Sequence, residues 1–240
     1  MLSIVVPTLN EEKYLPLLFN SIKGQNIADY EIIVADAGSL DRTVELSENY
    51  GCRVVAGGFP SRGKNQGAVA AKGDLILFID ADVILPDGFW EKNLKEFEKR
   101  NLDLASFILE AKNSFHNFSF KFLFNFPSLV SEKILPQAMN IILIKNNIHK
   151  KIGGFNEEIK IGEELDYVRR GAKMGKFGVL RSVKATSLPR RFQQDGWATT
   201  WLKYFLCQVH MIFLGPVKSD ILKYKFNHYS ESLKDPKNVT

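Results

Sequence analysis

The sequence contains few cysteines and histidines, the residues that stabilise small domains through disulfide bonds or bound metal ions. Its 240 residues include 2 cysteines and 4 histidines. Cys52 and Cys207 are isolated, and the histidines show no paired ligand spacing, so no zinc site is expected. Two isolated cysteines indicate buried thiols in a reducing compartment rather than a disulfide framework. A chain of this length can bury a sufficient core without such staples.

Long apolar runs are also missing. No segment reaches the roughly 18 uninterrupted apolar residues that predict a membrane-spanning helix. The nearest, residues 204–215, contains Gln208 and His210. No charged region or cleavage site precedes the first apolar run, so we predict a cytoplasmic protein without a secretory signal. The formal net charge of +5 fits nucleic acid, anionic lipid or a phosphorylated small molecule, and composition does not choose among them.

The first hundred residues alternate between strand and helix patterns. Four apolar runs predict strands, and helical periodicity follows each of them. These strands are residues 2–6, 31–35, 53–56 and 75–79. Because the runs are apolar on both faces, they predict an α/β fold with a mostly parallel sheet and helices on both sides.

The second half is less regular. We predict a strand at residues 102–109 and helices at residues 163–175 and 197–213. Residues 115–130 are rich in phenylalanine, and their spacing fits both a strand and a helix. This segment and the last helix either pack into the core or form a surface whose aromatic rings and nearby lysines contact lipid headgroups.

Two aspartates follow the fourth predicted strand, at the edge of the sheet where ligands of parallel sheets bind. Asp80 and Asp82 stand one residue apart. Such a pair can share one Mg²⁺ or Mn²⁺ ion, whose other ligands come from substrate phosphates and water. The other interpretation is that the pair caps the helix predicted near residues 86–100.

Four basic residues are candidates for phosphate contacts. Arg62 and Lys64 follow the third strand, where we predict a loop over residues 57–62 before a helix over residues 65–72. A mobile cationic arm in that place could reach a diphosphate. Arg190 and Arg191 precede the last helix, and guanidinium groups suit a leaving diphosphate because they stay charged and bind bidentately. A solvated loop is an equal alternative for this arginine pair.

Four motifs, in order, resemble the family 2 glycosyltransferases with the GT-A fold. The motifs are IVVPTLNEEKYL, EIIVADAGSLDRT, AAKGDLILFIDADV and GGFNEEIKIGEELDYVRRGAKMG, and the resemblance covers roughly residues 2–195. It implies one GT-A (Rossmann-like) domain. Within that domain, residues 1–100 would form the nucleotide-sugar-binding half, residues 101–228 the acceptor-binding and catalytic half, and residues 229–240 a polar tail.

The resemblance also implies roles for residues after the first, second and fourth strands. Asp36 would hydrogen-bond the base, which suits a base edge that offers N–H donors, although Asp-Ala-Gly-Ser is also good turn chemistry. Asp80 would meet the ribose or the metal, and Asp82 would bind the metal. The residues around the nucleoside would be Pro7, Thr8, Asn10 and Glu11.

An acidic cluster begins the helix predicted at residues 163–175. The family usually carries aspartate at the second acidic position and uses it as the base; this chain has Glu164 there, one methylene longer. A base must reach an acceptor hydroxyl, and direct attack would invert the anomeric centre. The other interpretation is charge complementarity at a helix start, which Glu163, Glu164 and Asp166 would provide.

The predicted function is inverting transfer of a sugar from a UDP- or GDP-linked donor to an acceptor hydroxyl, with Mg²⁺ or Mn²⁺. A lipid-linked acceptor and contact with the cytoplasmic face of a membrane are among the candidates, and nucleic acid is not an expected partner. One alternative is a nucleotidyltransferase, which would release pyrophosphate. The other is a non-catalytic basic module that binds membrane surfaces.

Overall fold

The structure, a computed structural model, describes residues 1–111, 114–188 and 196–219. Eight strands form one sheet. They are β1 (Leu2–Thr8), β2 (Tyr30–Asp36), β3 (Arg53–Ala56), β4 (Leu75–Ile79), β5 (Val83–Ile84), β6 (Leu104–Glu110), β7 (Ile141–Lys145) and β8 (Phe177–Ser187). Their order across the sheet is β3-β2-β1-β4-β7-β6-β8-β5.

Helices cover both faces of this sheet. They are α1 (Leu15–Lys23), α2 (Thr43–Asn49), α3 (Pro60–Ala70), α4 (Phe89–Lys99), α5 (Ser114–Phe120), α6 (Phe126–Val130), α7 (Asn146–Ile152), α8 (Glu163–Gly171) and α9 (Trp197–Phe213). A π-helical turn, Lys121–Asn125, joins α5 to α6. Within the described ranges, no helix is both long enough and apolar enough to cross a membrane.

The amino-terminal half forms the parallel part of the sheet. Strand β1 pairs in parallel with β2 and β4, and β2 pairs in parallel with β3. All seven residues of β1 are buried, because helices pack on both of its faces. The carboxyl ends of β1, β2 and β4 therefore lie at one edge of the sheet, as predicted.

The second half converts the sheet into a mixed one. Strand β7 lies antiparallel between β4 and β6, and β8 pairs in parallel with β6 and antiparallel with β5. Strands β5, β7 and β8 are not predicted from the sequence pattern. Strand β7 is the important omission, because it joins the two halves of the domain into one continuous sheet.

The phenylalanine-rich segment is helical rather than extended. Phe120 and Phe124, four residues apart, are both buried. The Asn125 side chain accepts a hydrogen bond from the Leu109 N–H (3.0 Å) and donates one to the Leu109 carbonyl (2.7 Å). These two bonds fix the π-helical turn against the end of β6.

The predicted loop over residues 57–62 is wrong in its second half. Helix α3 begins at Pro60, because proline fits the first turn of a helix, where its missing N–H breaks no bond. Arg62 and Lys64 therefore lie on a helix and not on a mobile arm. The helix predicted at residues 163–175 also ends earlier, at Gly171.

Candidate active site

A cavity of about 470 Å³ opens beyond the carboxyl ends of β1 and β4. One wall is polar, and the other is built by α6 and α9. Of the predicted site residues that the structure describes, Pro7, Glu11, Lys64, Asp80, Asp82 and Glu164 line this cavity. Thr8, Asn10, Asp36 and Arg62 are not among its lining residues. Arg190 and Arg191 lie outside the described residues.

The loops that follow β1 and β2 are tied together by hydrogen bonds. Asn10 has a left-handed backbone, with φ of 55°. Its N–H donates to Ser39 Oγ (2.8 Å), and its Oδ1 accepts from the Leu40 N–H (2.8 Å). Glu11 is buried, and its N–H donates to Thr43 Oγ1 (2.7 Å). Asn10 therefore positions the rim of the site.

Asp36 closes the turn that follows β2. Its carboxylate accepts hydrogen bonds from the N–H groups of Gly38 (2.9 Å) and Ser39 (2.8 Å) and from Thr8 Oγ1 (3.0 Å). The turn chemistry anticipated from Asp-Ala-Gly-Ser is thus present. Recognition of a base by Asp36 stays a prediction.

Asp80 and Asp82 stand where β4 leaves the sheet. The Asp80 N–H donates to the Asn140 carbonyl (3.0 Å), and the Asp82 carbonyl accepts from the Leu188 N–H (2.9 Å). Both side chains line the cavity, and that of Asp80 is 33% exposed. Helix α4 begins only at Phe89, with Gly88 at its cap and no side-chain cap bond. The Asp pair is therefore not the cap of that helix.

Asp80 and Asp82 are residues that could hold a divalent cation together with phosphate oxygens of a substrate. Among the described residues, no group of three or more histidine, cysteine, aspartate or glutamate side chains could hold a metal ion. Two carboxylates facing an open cavity leave coordination positions for phosphate oxygens and water. That is the usual donor set of Mg²⁺ at phosphate sites.

Lys64 is buried at the centre of the polar wall and connects three carboxylates. Only 2% of this residue is exposed. Its Nζ donates to Glu164 Oε1, contacts Glu163 Oε1 at 3.3 Å and lies 4.0 Å from Asp80 Oδ1. Helix α3 thus links the end of β4 to the beginning of α8. The local sequence places Lys64 on a mobile arm only because it does not reveal the early start of α3.

The charged groups in this cluster change one another's pKa values. Burial opposes the charge of Lys64, but the carboxylates of Glu164, Glu163 and Asp80 outweigh burial and raise its pKa. Burial and the charge of Glu164 raise the pKa of Glu163 to about 7. Burial also acts on Glu164, yet the Lys64 ammonium lowers the pKa of that carboxyl. The carboxyl of Glu164 therefore holds its negative charge more readily than that of Glu163.

Asp166, the third acid of the α8 motif, has a structural partner. Arg170 Nε donates to Asp166 Oδ2 (2.7 Å), and the same guanidinium donates to the carbonyls of Ile152 (3.0 Å) and Gly154 (2.9 Å). This arrangement ties α8 to the end of α7. It leaves Glu163 and Glu164 as the α8 carboxylates that face the cavity.

Sequence reasoning missed the part of the wall between α6 and β7. Gln137 and Asn140 line the cavity. Gln208 on α9 donates to Gln137 Oε1 (3.3 Å), and its own Oε1 accepts from Arg169 Nη2 (2.8 Å). No periodic pattern marks residues 136–140, so local sequence carries no signal for them.

Comparison with solved structures agrees with this fold. The structure is similar to that of Staphylococcus aureus TarS 1-349 in complex with UDP-GlcNAc, with a TM-score of 0.65, 20% identity, and 88% of this chain and 73% of that chain covered. It is also similar to the mannosyltransferase PcManGT from Pyrobaculum calidifontis, solved with GDP-Man and Mn²⁺, with a TM-score of 0.67, 16% identity, and 85% and 61% covered. These likenesses define the GT-A class of fold.

The sequence comparisons identify the family. The model of glycosyl transferase family 2 matches residues 3–156, and the chain belongs to this family. It is 30% identical to an uncharacterized glycosyltransferase of Haemophilus influenzae over 181 residues, which cover 70% of this chain and 60% of the relative. The match to another relative, the uncharacterized glycosyltransferase EpsJ of Bacillus subtilis, covers 33% of that protein's length, so the chain spans less than two thirds of both relatives. The expected family and fold are confirmed.

Proposed function

We propose that this protein transfers a sugar from a nucleotide diphosphate donor to an acceptor hydroxyl, with inversion at the anomeric carbon. One observation carries this proposal: Asp80 and Asp82 at the end of β4 share a cavity with Glu163 and Glu164 at the start of α8. Carboxylates suited to a metal–diphosphate and carboxylates suited to proton transfer thus face the same space. The donors seen with similar folds, UDP-GlcNAc and GDP-Man, support a UDP- or GDP-linked sugar.

Asp82 and Asp80 would hold the divalent cation. A bound Mg²⁺ or Mn²⁺ would stabilise the negative charge that grows on the leaving diphosphate. The presence of Mn²⁺ in the mannosyltransferase complex supports this assignment. Pro7 and Glu11 line the cavity on the β1 side, and we assign them, with Thr8, Asn10 and Asp36, to the nucleoside. Arg62, Arg190 and Arg191 remain proposed diphosphate contacts.

Glu164 would accept the proton of the acceptor hydroxyl. Its carboxylate lies at the first turn of α8 and is kept ionised by Lys64, so it is in the form that a base requires. The attacking oxygen forms the new glycosidic bond while the bond to the diphosphate breaks, and the nucleoside diphosphate leaves with the electron pair. Glu163, with a pKa of about 7, would then share the transferred proton.

The acceptor is proposed from the other wall of the cavity. Leu123, Phe124, Trp201, Tyr204 and Phe205 line that side, which suits an acceptor that carries an apolar group, such as a lipid-linked one. Both cysteines are free and buried, which agrees with a reducing, cytoplasmic setting at a membrane face.

The products distinguish this proposal from the alternatives. The full chain would be incubated with UDP- and GDP-sugars and Mn²⁺, and released nucleotide would be separated by ion-exchange chromatography. We expect a nucleoside diphosphate, and Asp82→Asn should abolish its release. Release of pyrophosphate in a parallel incubation with nucleoside triphosphates would indicate nucleotidyl transfer instead. Vesicle binding without any nucleotide turnover would indicate the non-catalytic membrane module.

A further inference from the structure

Helix α9 is apolar on the face that it turns away from the protein. Thr200, Cys207 and Met211 are its buried residues. The opposite side carries Leu202, Phe205, Leu206, Val209 and Phe213, at spacings of three, one, three and four residues, and each is exposed. A surface helix normally presents polar side chains outward, and a helix that is apolar all round is covered by something. We call these five residues the α9 outer stripe.

A second apolar stripe lies on the neighbouring helical segment. Phe118, Phe122 and Phe126 are each about half exposed or more, and the rings of Phe118 and Phe122 are 4.5 Å apart. The two helical segments are in contact, because Phe120 packs edge-on against Trp201 at 5.7 Å. Exposed apolar surface on two adjoining helical segments is typical of an interaction site.

The charges around these stripes identify the occupant. Residues 114–130 and 197–219 contain no aspartate or glutamate, whereas Lys121 and Lys203 fall within them, and Lys218 is paired with Glu158. Segments that combine exposed aromatic and aliphatic side chains with lysines, and that carry no acidic residue of their own, are typical of helices that lie in the plane of an anionic membrane surface. A second copy of the chain would bring the same cations to the interface, so self-association is disfavoured.

We infer that the α9 outer stripe and the Phe118–Phe122–Phe126 stripe dock the protein on an anionic lipid bilayer. Phe205 belongs to the outer stripe and also lines the catalytic cavity. The docked surface therefore continues into the apolar wall, and an acceptor held in the bilayer would enter from this side. That last step rests on the proposed transferase function, whereas docking itself does not.

The test compares a stripe variant with a matched exposed site. The full chain is mixed with vesicles of phosphatidylcholine alone or of phosphatidylcholine with phosphatidylglycerol, and the bound fraction is measured by co-sedimentation. Leu206→Glu combined with Phe213→Glu places charges in the outer stripe, at residues that do not line the cavity. Val69→Glu, at a position 84% exposed on α3, is the control.

We expect wild type and Val69→Glu to bind the mixed vesicles, and the double variant to bind them at least about tenfold more weakly. Equal binding of all three proteins, or no binding of wild type, would overturn the inference. Concentration-dependent dimerisation that the double variant abolishes would overturn it in favour of a second copy. Binding of UDP with Mn²⁺, measured separately, should be the same in all three proteins, so a failure of docking is distinguishable from a failure of the proposed function.

Discussion

Replacing Lys64 tests how the polar wall of the cavity is held together. The substitution Lys64→Met removes the buried ammonium but keeps a flexible apolar side chain of similar length. Glu164, Glu163 and Asp80 then lose their shared cation. Removing one partner of a buried ion pair costs about 3–5 kcal/mol, because the remaining charge stays buried. We expect a loss near the lower end, about 3 kcal/mol, because burial and the neighbouring Glu164 charge raise the pKa of Glu163 and so favour its neutral form.

The loss should depend on pH in a defined direction. At pH 7.5 the variant must keep the Glu164 charge buried without the Lys64 ammonium, which costs folding free energy. At pH 5.5 both Glu163 and Glu164 can bind protons, which relieves the repulsion between their carboxylates. The destabilisation by Lys64→Met should therefore be smaller at pH 5.5 than at pH 7.5. Free energies of unfolding from urea titrations at the two pH values measure it, with the exposed Lys72→Met as the matched control. A loss equal to that of the control, or one that does not change with pH, would refute the reasoning.

Three further changes probe other parts of the molecule. Glu164→Gln should lower turnover about 100-fold or more with little change in donor affinity, whereas the exposed carboxylate variant Glu158→Gln should not; normal turnover would remove Glu164 from the base role. Burial, and then the charges of Lys150 and Arg170, lower the pKa of His149 to about 4. His149 therefore contributes stability that is present above pH 6.5 and lost as pH falls through about 4. That contribution is worth about 3 kcal/mol, and urea titrations should show a flatter pH profile for His149→Gln; identical profiles would contradict it. Gly67→Ala should destabilise the fold by about 1–3 kcal/mol, because an added Cβ would overlap Val5 Cγ1, while exposed Gln66→Ala should leave the melting temperature unchanged.

The parallel half of the sheet was predictable because its signal is local. Each of the first four strands is a short apolar run followed by a polar turn, and the register of β1 with β2 places Thr8 opposite Asp36. The position of Asp80 and Asp82 was predictable for the same reason, since they directly follow β4. Continuous burial of a strand and the position of its carboxyl end can be inferred from neighbouring residues alone.

The remaining features depend on contacts that are distant in sequence. The position of β7 follows from its antiparallel register, in which Ile79 lies opposite Ile141, and no local pattern specifies that partner. The phenylalanine-rich segment is helical because this conformation buries both Phe120 and Phe124 and lets Asn125 form hydrogen bonds with Leu109. Lys64 contacts acids about 100 residues away in sequence, so its burial could not be predicted from the residues around it.

The central claim is that Asp80 and Asp82 hold a cation that bridges to the donor's diphosphate. Its most direct test is calorimetric titration of UDP and GDP into wild type and Asp82→Asn, each in Mn²⁺ and in chelator. We expect Mn²⁺ to strengthen binding of one nucleotide to wild type by at least about tenfold. Asp82→Asn should lose this gain, while its weak binding in chelator is unchanged. Equal Mn²⁺-dependent binding by both proteins, or the same wild-type affinity in Mn²⁺ and in chelator, would contradict the assignment of the cation to Asp80 and Asp82.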